Sequence, residues 1–303
     1  MMTKNENFDA VVIGGSYAGL SAALSLGRAL KNVLIIDSGN PCNKQTPFSH
    51  NFITQDGAVP AQITAVALSQ VLKYPNVKFM SDNVIFVSGG NNEFLVTTAS
   101  GKIVQAKKLL FATGIKDTMP AIKGFAECWG ISIIHCPYCH GYEYKGTNTG
   151  LLMNSDAAAD HAQFISNWAG KLTLFTNGKA TIAKEKQTGL TKKKILVTEK
   201  EIKAVLHTNG QLECLVFADG QKQELDALYA VLPFTQHTAL PQLMGCNMTA
   251  EGYIQVDDFK KTTVPGIFAA GDNTSPMRSV AIAVAAGTFA GVVISKELIN
   301  DGV

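Results

Sequence analysis

Charge is scarce in this chain. Asp, Glu, Lys and Arg make up 17% of its 303 residues, against 46% for hydrophobic types. The two signs nearly cancel, for a formal net charge of +2. A nucleic-acid-binding surface and a disordered, self-repelling chain are both excluded by that balance. The one dense basic run, Lys184 to Lys194, has no interleaved aromatics on which bases would stack and reads as a solvated surface segment. Cysteine is sparse as well. The six cysteines stand at 42, 128, 136, 139, 214 and 246, and only one pair is close. A secreted disulfide framework would be shorter and denser in cysteine. Long apolar runs are missing too. The apolar, charge-free stretch from Ser279 to Ser295 falls just short of a membrane span and contains Gly287 and Gly291, as a helix packed closely in a core would. The opening Met-Met-Thr-Lys-Asn-Glu-Asn-Phe-Asp is polar and has no leader-like apolar segment. The expectation is a cytoplasmic protein with neither nucleic-acid nor membrane partners.

What is present is an α/β rhythm. The length exceeds what one core comfortably serves and points to two domains. Ala10 to Ile13 reads as an apolar strand, Gly14-Gly15-Ser16-Tyr17-Ala18-Gly19 as a turn, Leu20 to Leu30 as a helix, and Val33 to Ile36 as a second strand ending in Asp37. A Pro- and Gly-punctuated loop at 40–60 and an amphipathic helix over Ile63 to Leu72 follow. Short strands at 77–80, 84–88, 94–98 and 102–105 read as an antiparallel excursion, and Lys108 to Ala112 as a buried strand capped by Thr113-Gly114. The pattern then restarts, with strands at Thr149 to Met153 and Leu172 to Phe175 around a helix over Asp156 to Trp168. A second antiparallel excursion is expected at 195–217, closed by a strand over Leu228 to Leu232. Gly266 to Asp272 and the helix over Val280 to Leu298 belong with the first half. The predicted fold is therefore α/β with two Rossmann-like domains, one from 1–115 and 246–303, the other from 116–245.

The first turn suits a dinucleotide. N–H groups at a helix N-terminus are unpaired and favour a pyrophosphate, while glycines let the backbone approach it. Gly14 and Gly19 fill the first and third glycine positions of the fingerprint, and Ser16 replaces the second. Asp37 is placed to accept from a ribose hydroxyl and disfavours a 2′-phosphate.

His135-Cys136-Pro137-Tyr138-Cys139-His140-Gly141 is the most informative heptad. Two cysteines separated by two residues can close a disulfide, and a helix N-terminus would lower one thiol's pKa for exchange. Inert buried thiols are the bland alternative. Zinc is a poor one, because each histidine adjoins a cysteine and no second Cys-x-x-Cys exists. His140, near its ordinary pKa of about 6.5, would shuttle a proton. The other cysteines read as packing residues, apart from Cys42 in the long loop.

Phe111-Ala112-Thr113-Gly114, Gly266 to Asp272, the glycine turn and the redox heptad occur in an order that resembles low-molecular-weight thioredoxin reductases and the wider two-dinucleotide-domain flavoproteins. The resemblance spans nearly the whole chain. It implies FAD, with the strand end at Thr113 and Gly114 flanking the FAD domain, Gly271 leading to Asp272 on the ribityl chain, and Arg278, Ser279, Val280 and Ala281 opening a helix toward the flavin. It places His50 in a loop that would cross the flavin. It also makes Cys139 the flavin-proximal thiol and Cys136 the interchange thiol, in a homodimer. Where those enzymes have an aspartate after the second cysteine, this chain has His140. Locally, Cys-Pro-Tyr-Cys-His-Gly resembles the dithiol oxidases that close disulfides in gliotoxin and holomycin.

The pattern breaks in the second domain. Where thioredoxin reductases carry a glycine-rich turn for NADPH, this chain reads Met153-Asn154-Ser155-Asp156-Ala157-Ala158-Ala159, without glycine. After the next strand, Thr176-Asn177-Gly178-Lys179 offers one basic residue. The expected function is thiol–disulfide exchange between FAD and the Cys136–Cys139 pair without a working NADPH site, serving a small dithiol or a thioredoxin-like protein. The alternatives are an NADPH-dependent thioredoxin-disulfide reductase and a non-enzymatic flavin-binding redox sensor.

Overall fold

The computed structural model describes residues 6–302. The chain forms two compact units. One comprises the residues up to Lys44, Pro60–Lys116 and those from Phe234 onward, and the other Gln45–Val59 with Asp117–Pro233.

The first unit is built on a seven-stranded sheet. Glu6–Ile13 (β1), Val33–Asp37 (β2) and Val77–Ser81 (β3) run parallel, with β1 between β2 and Ile103–Phe111 (β6). Val84–Ser88 (β4) and Phe94–Thr98 (β5) extend the sheet antiparallel beyond β6. Ile267–Ala269 (β17) pairs with the last third of β6. Successive side chains of β1 feed two cores, Ala10 and Val12 on one face and Val11 and Ile13 on the other. Burial on both faces explains why these strands read as unbroken apolar runs. Tyr17–Arg28 (α1), Pro60–Val71 (α2) and Val280–Asn300 (α8) accompany the sheet. Gly287 and Gly291 of α8 lie against the backbone of Ala18 and Ala22 in α1, where a Cβ would collide. Among the described residues α8 alone is long and apolar enough to cross a membrane, but that packing makes it a core helix.

Two expectations change here. The strand at 77–80 belongs to the parallel sheet, not the antiparallel excursion, because its residues register with β2. The separate strands at 102–105 and 108–112 are one strand, β6. Its first half pairs antiparallel with β5 and its second half parallel with β17.

The second unit carries a five-stranded parallel sheet in the order β11-β10-β9-β15-β8: Leu196–Thr198, Lys171–Phe175, Asn148–Leu152, Ala227–Ala230 and Ile133–Ile134. Ala157–Ile165 (α5) packs Ala158, Ala162 and Ile165 into the core on one face. Ile202–Thr208 (β12), Gln211–Phe217 (β13) and Lys222–Glu224 (β14) form a separate antiparallel sheet, whose apolar side joins Phe125 and Trp129 in the other core. The expected strand near 195–198 is β11, parallel to β10 and outside that excursion. The basic run is helical over Lys184–Lys192 (α6), with only Leu190 buried.

The boundaries differ from the sequence expectation. The first unit resumes at Phe234 rather than 246. Phe234–Gln236 (β16) pairs with Ile115–Asp117 (β7), and Leu240 and Cys246 are buried in the first unit's core. Segment 45–59 groups with the second unit, where Gly130 lies against Gln45 and Thr46.

Candidate active site

In the first unit the carboxyl ends of four strands lie side by side. Ile13 registers with Ile36 and Phe111, and Phe111 with Ala269. Gly14, Asp37, Thr113, Gly114, Gly271 and Asp272, remote in sequence, therefore all follow strand ends on one sheet edge, the usual place for a ligand in a parallel sheet. Gly14 has φ 108°, and a Cβ there would meet the Ala112 carbonyl. A Cβ at Gly19 would meet the carbonyl of Gly14. Ser16 is the N-cap of α1 and makes no side-chain cap hydrogen bond, so its own side chain leaves the first-turn N–H groups uncapped. The Asp37 carboxylate accepts from Gly15 N (2.8 Å) and Gly39 N (3.1 Å), one at each oxygen, which leaves lone pairs for hydroxyl donors.

Next to Asp272, Asn273 is fully buried. Its Nδ2 donates to Phe111 O (2.8 Å), while its Oδ1 is buried without a partner. Arg278 Nε stands 3.8 Å from Asp272 Oδ2. Ser279 Oγ accepts from Ile282 N (3.2 Å) and so caps α8, which Val280 and Ala281 open. Close-approach glycines, an uncapped helix start, an acceptor carboxylate and an orphaned buried acceptor on one sheet edge suit a dinucleotide such as FAD.

In the second unit β8 leads directly into a single helical turn, Pro137–His140 (α4). Cys136 and Cys139 form a disulfide across it, with Cα atoms 5.3 Å apart. Both are partly buried, so exposure does not separate an interchange thiol from a resolving one. The turn has only four residues, and Pro137 stands at its first position without an N–H. The helix-end field expected to acidify a thiol therefore has few peptide dipoles behind it.

Proton chemistry falls instead to the side chains around His140. Burial, then the charge of His50, hold the His140 imidazole below its ordinary value, while Glu143 pulls the other way. The ring is thus a neutral acceptor at pH 7, rather than the unperturbed group expected from sequence. His50 stands edge-on to His140, with centroids 6.4 Å apart. Its Nδ1 is 3.7 Å from Asp56 Oδ1 and its Nε2 3.5 Å from Glu143 Oε1. The structure thus groups His50 with the redox turn in the second unit. On the other side, Tyr138 packs against Phe164 (5.7 Å) and Trp168 (5.4 Å).

The turn after β9 is stitched by side chains. Asn154 Oδ1 accepts from Thr181 N (2.8 Å) and Thr181 Oγ1 (3.0 Å), and Asn154 Nδ2 donates to Lys179 O (2.9 Å). Asp156 Oδ1 accepts from Ala183 N (2.8 Å), at the start of α5. These bonds tie the turn to the segment after β10.

The fold and the two sites define a flavin-linked disulfide oxidoreductase. A family model described as pyridine nucleotide-disulphide oxidoreductase matches residues 8–287, and the chain belongs to that family, in its thioredoxin-reductase-like branch. Thioredoxin reductase tcpT of Claviceps purpurea is 32% identical over 311 residues, covering 99% of this chain and 97% of that one. Thioredoxin reductase aclD of Aspergillus oryzae is 30% identical over 307 residues, covering 97% of each. The structure of an oxidoreductase from Agrobacterium tumefaciens superposes with a TM-score of 0.91 at 36% identity, over 97% of this chain and 99% of that one. The family is one of catalytic disulfide oxidoreductases and implies FAD as cofactor.

Sequence reasoning missed Asn273, Glu143 and Asp56. Asn273 follows the Asp272 that was singled out, and Glu143 lies three residues after His140, about one helical turn's spacing. Asp56 carried no comparable signal, because only the folding of 45–59 brings it to His50. The remaining cysteines lie as expected, Cys128, Cys214 and Cys246 buried and Cys42 exposed.

Proposed function

We propose that the chain moves electron pairs between FAD, held by Gly14, Ser16, Gly19, Asp37, Thr113, Gly114 and Asp272, and the Cys136–Cys139 disulfide, with a small dithiol as outside partner. FAD supplies a two-electron acceptor or donor. An incoming dithiol gives a proton to His140, and its thiolate attacks Cys136, forming a mixed disulfide and freeing Cys139 as a thiolate. The second external thiol, on losing its own proton, attacks the external sulfur of that bond. It releases Cys136 and leaves as an intramolecular disulfide. The cysteine pair then holds the two electrons, and the direction of flow follows the potentials of the couples. Cys139 as the flavin-facing thiol, the flavin roles of His50 and Arg278 to Ala281, the homodimer and the cytoplasmic setting rest on resemblance.

One observation carries the absence of a nicotinamide site: Asn154 and Asp156 stitch the turn where a dinucleotide's phosphates would need open backbone. Lys179 alone is basic in 176–179. The local likeness to the gliotoxin and holomycin dithiol oxidases supports the same reading. A second reading, an NADPH-dependent reductase of a thioredoxin-like protein, is favoured by the names of the relatives. Those names back it better than they back dithiol oxidation. Anaerobic stopped-flow spectra separate the two. Flavin bleaching by dithiothreitol with no response to NADPH is the expected result, whereas rapid, saturable bleaching by micromolar NADPH overturns the proposal in favour of the reductase.

A further inference from the structure

His50 has a position in the second unit that flavin contact does not account for. It lies within 45–59, a segment remote in sequence from the redox turn, yet its ring meets His140 edge-on with centroids 6.4 Å apart. A carboxylate faces each of its nitrogens, Asp56 at Nδ1 (3.7 Å) and Glu143 at Nε2 (3.5 Å). Its side chain is 20% exposed and that of Asp56 70%, so the cluster runs from His140 out to water. The segment is held in shape by Asn51 N donating to Asp56 Oδ1 (2.7 Å) and Gly57 N to Ser49 O (2.8 Å). We propose that His50 is a positioning residue for the exchange reaction: braced between Glu143 and Asp56, it keeps His140 in the neutral form that accepts the thiol proton.

The reasoning is electrostatic. Two imidazoles this close cannot both be charged without repulsion, and the carboxylates at the two His50 nitrogens compensate positive charge on that ring. His140 is held low first by burial and has Glu143 to offset the same charge. The charged and titratable groups acting on His140 are His50 and Glu143, with Asp56 at the far nitrogen of His50. Burial and the neighbouring His50 thus both disfavour a proton on the inner ring, which meets the incoming thiol uncharged. The inference deepens the exchange mechanism proposed above and rests on His140 as its base.

The test reads His140 directly. Its ring resonances are titrated by NMR in the oxidised FAD-loaded protein, assigned by their loss in His140→Gln. Removing the neighbouring charge in His50→Gln should raise the His140 midpoint, by about 0.5 pH unit if water screens the pair fully and by up to about 2 at an effective dielectric near 20. His50→Lys keeps a charge and should hold the midpoint low. Asp56→Asn, which keeps a side-chain oxygen to accept from Asn51 N, weakens the brace and should move the midpoint in the same direction as His50→Gln. The acid limb of dithiothreitol-driven flavin reduction should shift with it. An unmoved midpoint in His50→Gln overturns the inference. So does an equal shift in His50→Gln and His50→Lys, which takes charge out of the explanation, and so does loss of FAD without a shift, which makes His50 a flavin contact. The titration needs no turnover. Failure of the exchange mechanism itself would appear separately, as undiminished dithiol-driven reduction in Cys136→Ser.

Discussion

Replacing Gly14 with alanine probes the flavin cradle, with Gly114→Ala as its control. Both glycines have positive φ, 108° and 64°. An L-residue in that region costs about 1–2 kcal/mol wherever it stands. The surroundings differ sharply. A Cβ at Gly14 would overlap the carbonyl of Ala112, whose own N–H donates to Ile13 O (2.8 Å) in the middle of the sheet. Neither strand can yield without weakening the ladder, and overpacking of that kind adds about 1–3 kcal/mol. Nothing lies within 4 Å of a Cβ at Gly114. Gly14→Ala should therefore destabilise the apo-protein by about 2–5 kcal/mol, and Gly114→Ala by about 1–2 kcal/mol. Urea unfolding of the two apo-proteins reads this difference. Flavin absorbance after saturation with FAD and gel filtration reads the cradle, and Gly14→Ala should retain far less than one flavin per chain. Gly114→Ala, whose Cβ meets nothing within 4 Å, should keep more flavin than Gly14→Ala. Equal unfolding midpoints for the two variants, or full flavin in Gly14→Ala, would refute the argument.

Three more outcomes are expected. Cys136→Ser and Cys139→Ser should each slow dithiothreitol-driven flavin reduction by about 100-fold or more while leaving bound FAD unchanged; stopped-flow absorbance of the flavin checks this. The same reaction should keep its rate on acidification until below about pH 6.5, since the lowered His140 value keeps the accepting form populated past the ordinary midpoint; a limb that falls above pH 7 contradicts it. Lys108 is 1% exposed and donates to Asp301 (2.6 Å) and Asn91 (2.7 Å), so Asp301→Ala should cost about 1–3 kcal/mol in urea unfolding, with Glu297 left as a weaker partner. The hydrogen bond from Lys108 holds the Asp301 carboxyl below its ordinary 3.8, so that contribution is present above the unfolded value and disappears as pH falls through the folded one. Wild type and variant should therefore converge in stability in strong acid, and a gap that widens there would contradict the pairing.

Much of the molecule was legible in its residues. The apolar runs of β1, β2 and β6, the turn glycines and the terminal acids dictate a parallel sheet with a ligand edge, because period, punctuation and backbone space are local properties. The disulfide followed from two cysteines a turn apart, and the missing glycines at 153–159 were plain from composition. Tertiary structure decided the rest. Whether 77–81 pairs parallel or antiparallel depends on which strand is free beside it, and the polar Lys107-Lys108 in β6 suggests a break between two strands where the chain only changes partner. The return at Phe234 depends on where β16 finds a strand to pair with. His50 is the clearest case. Its immediate sequence offers no reason to associate it with His140, and only the folding of 45–59 sets the two rings 6.4 Å apart with a carboxylate at each His50 nitrogen. Burial and neighbouring charge, which tune His140, are sums over residues distant in the chain. No stretch of sequence carries them by itself.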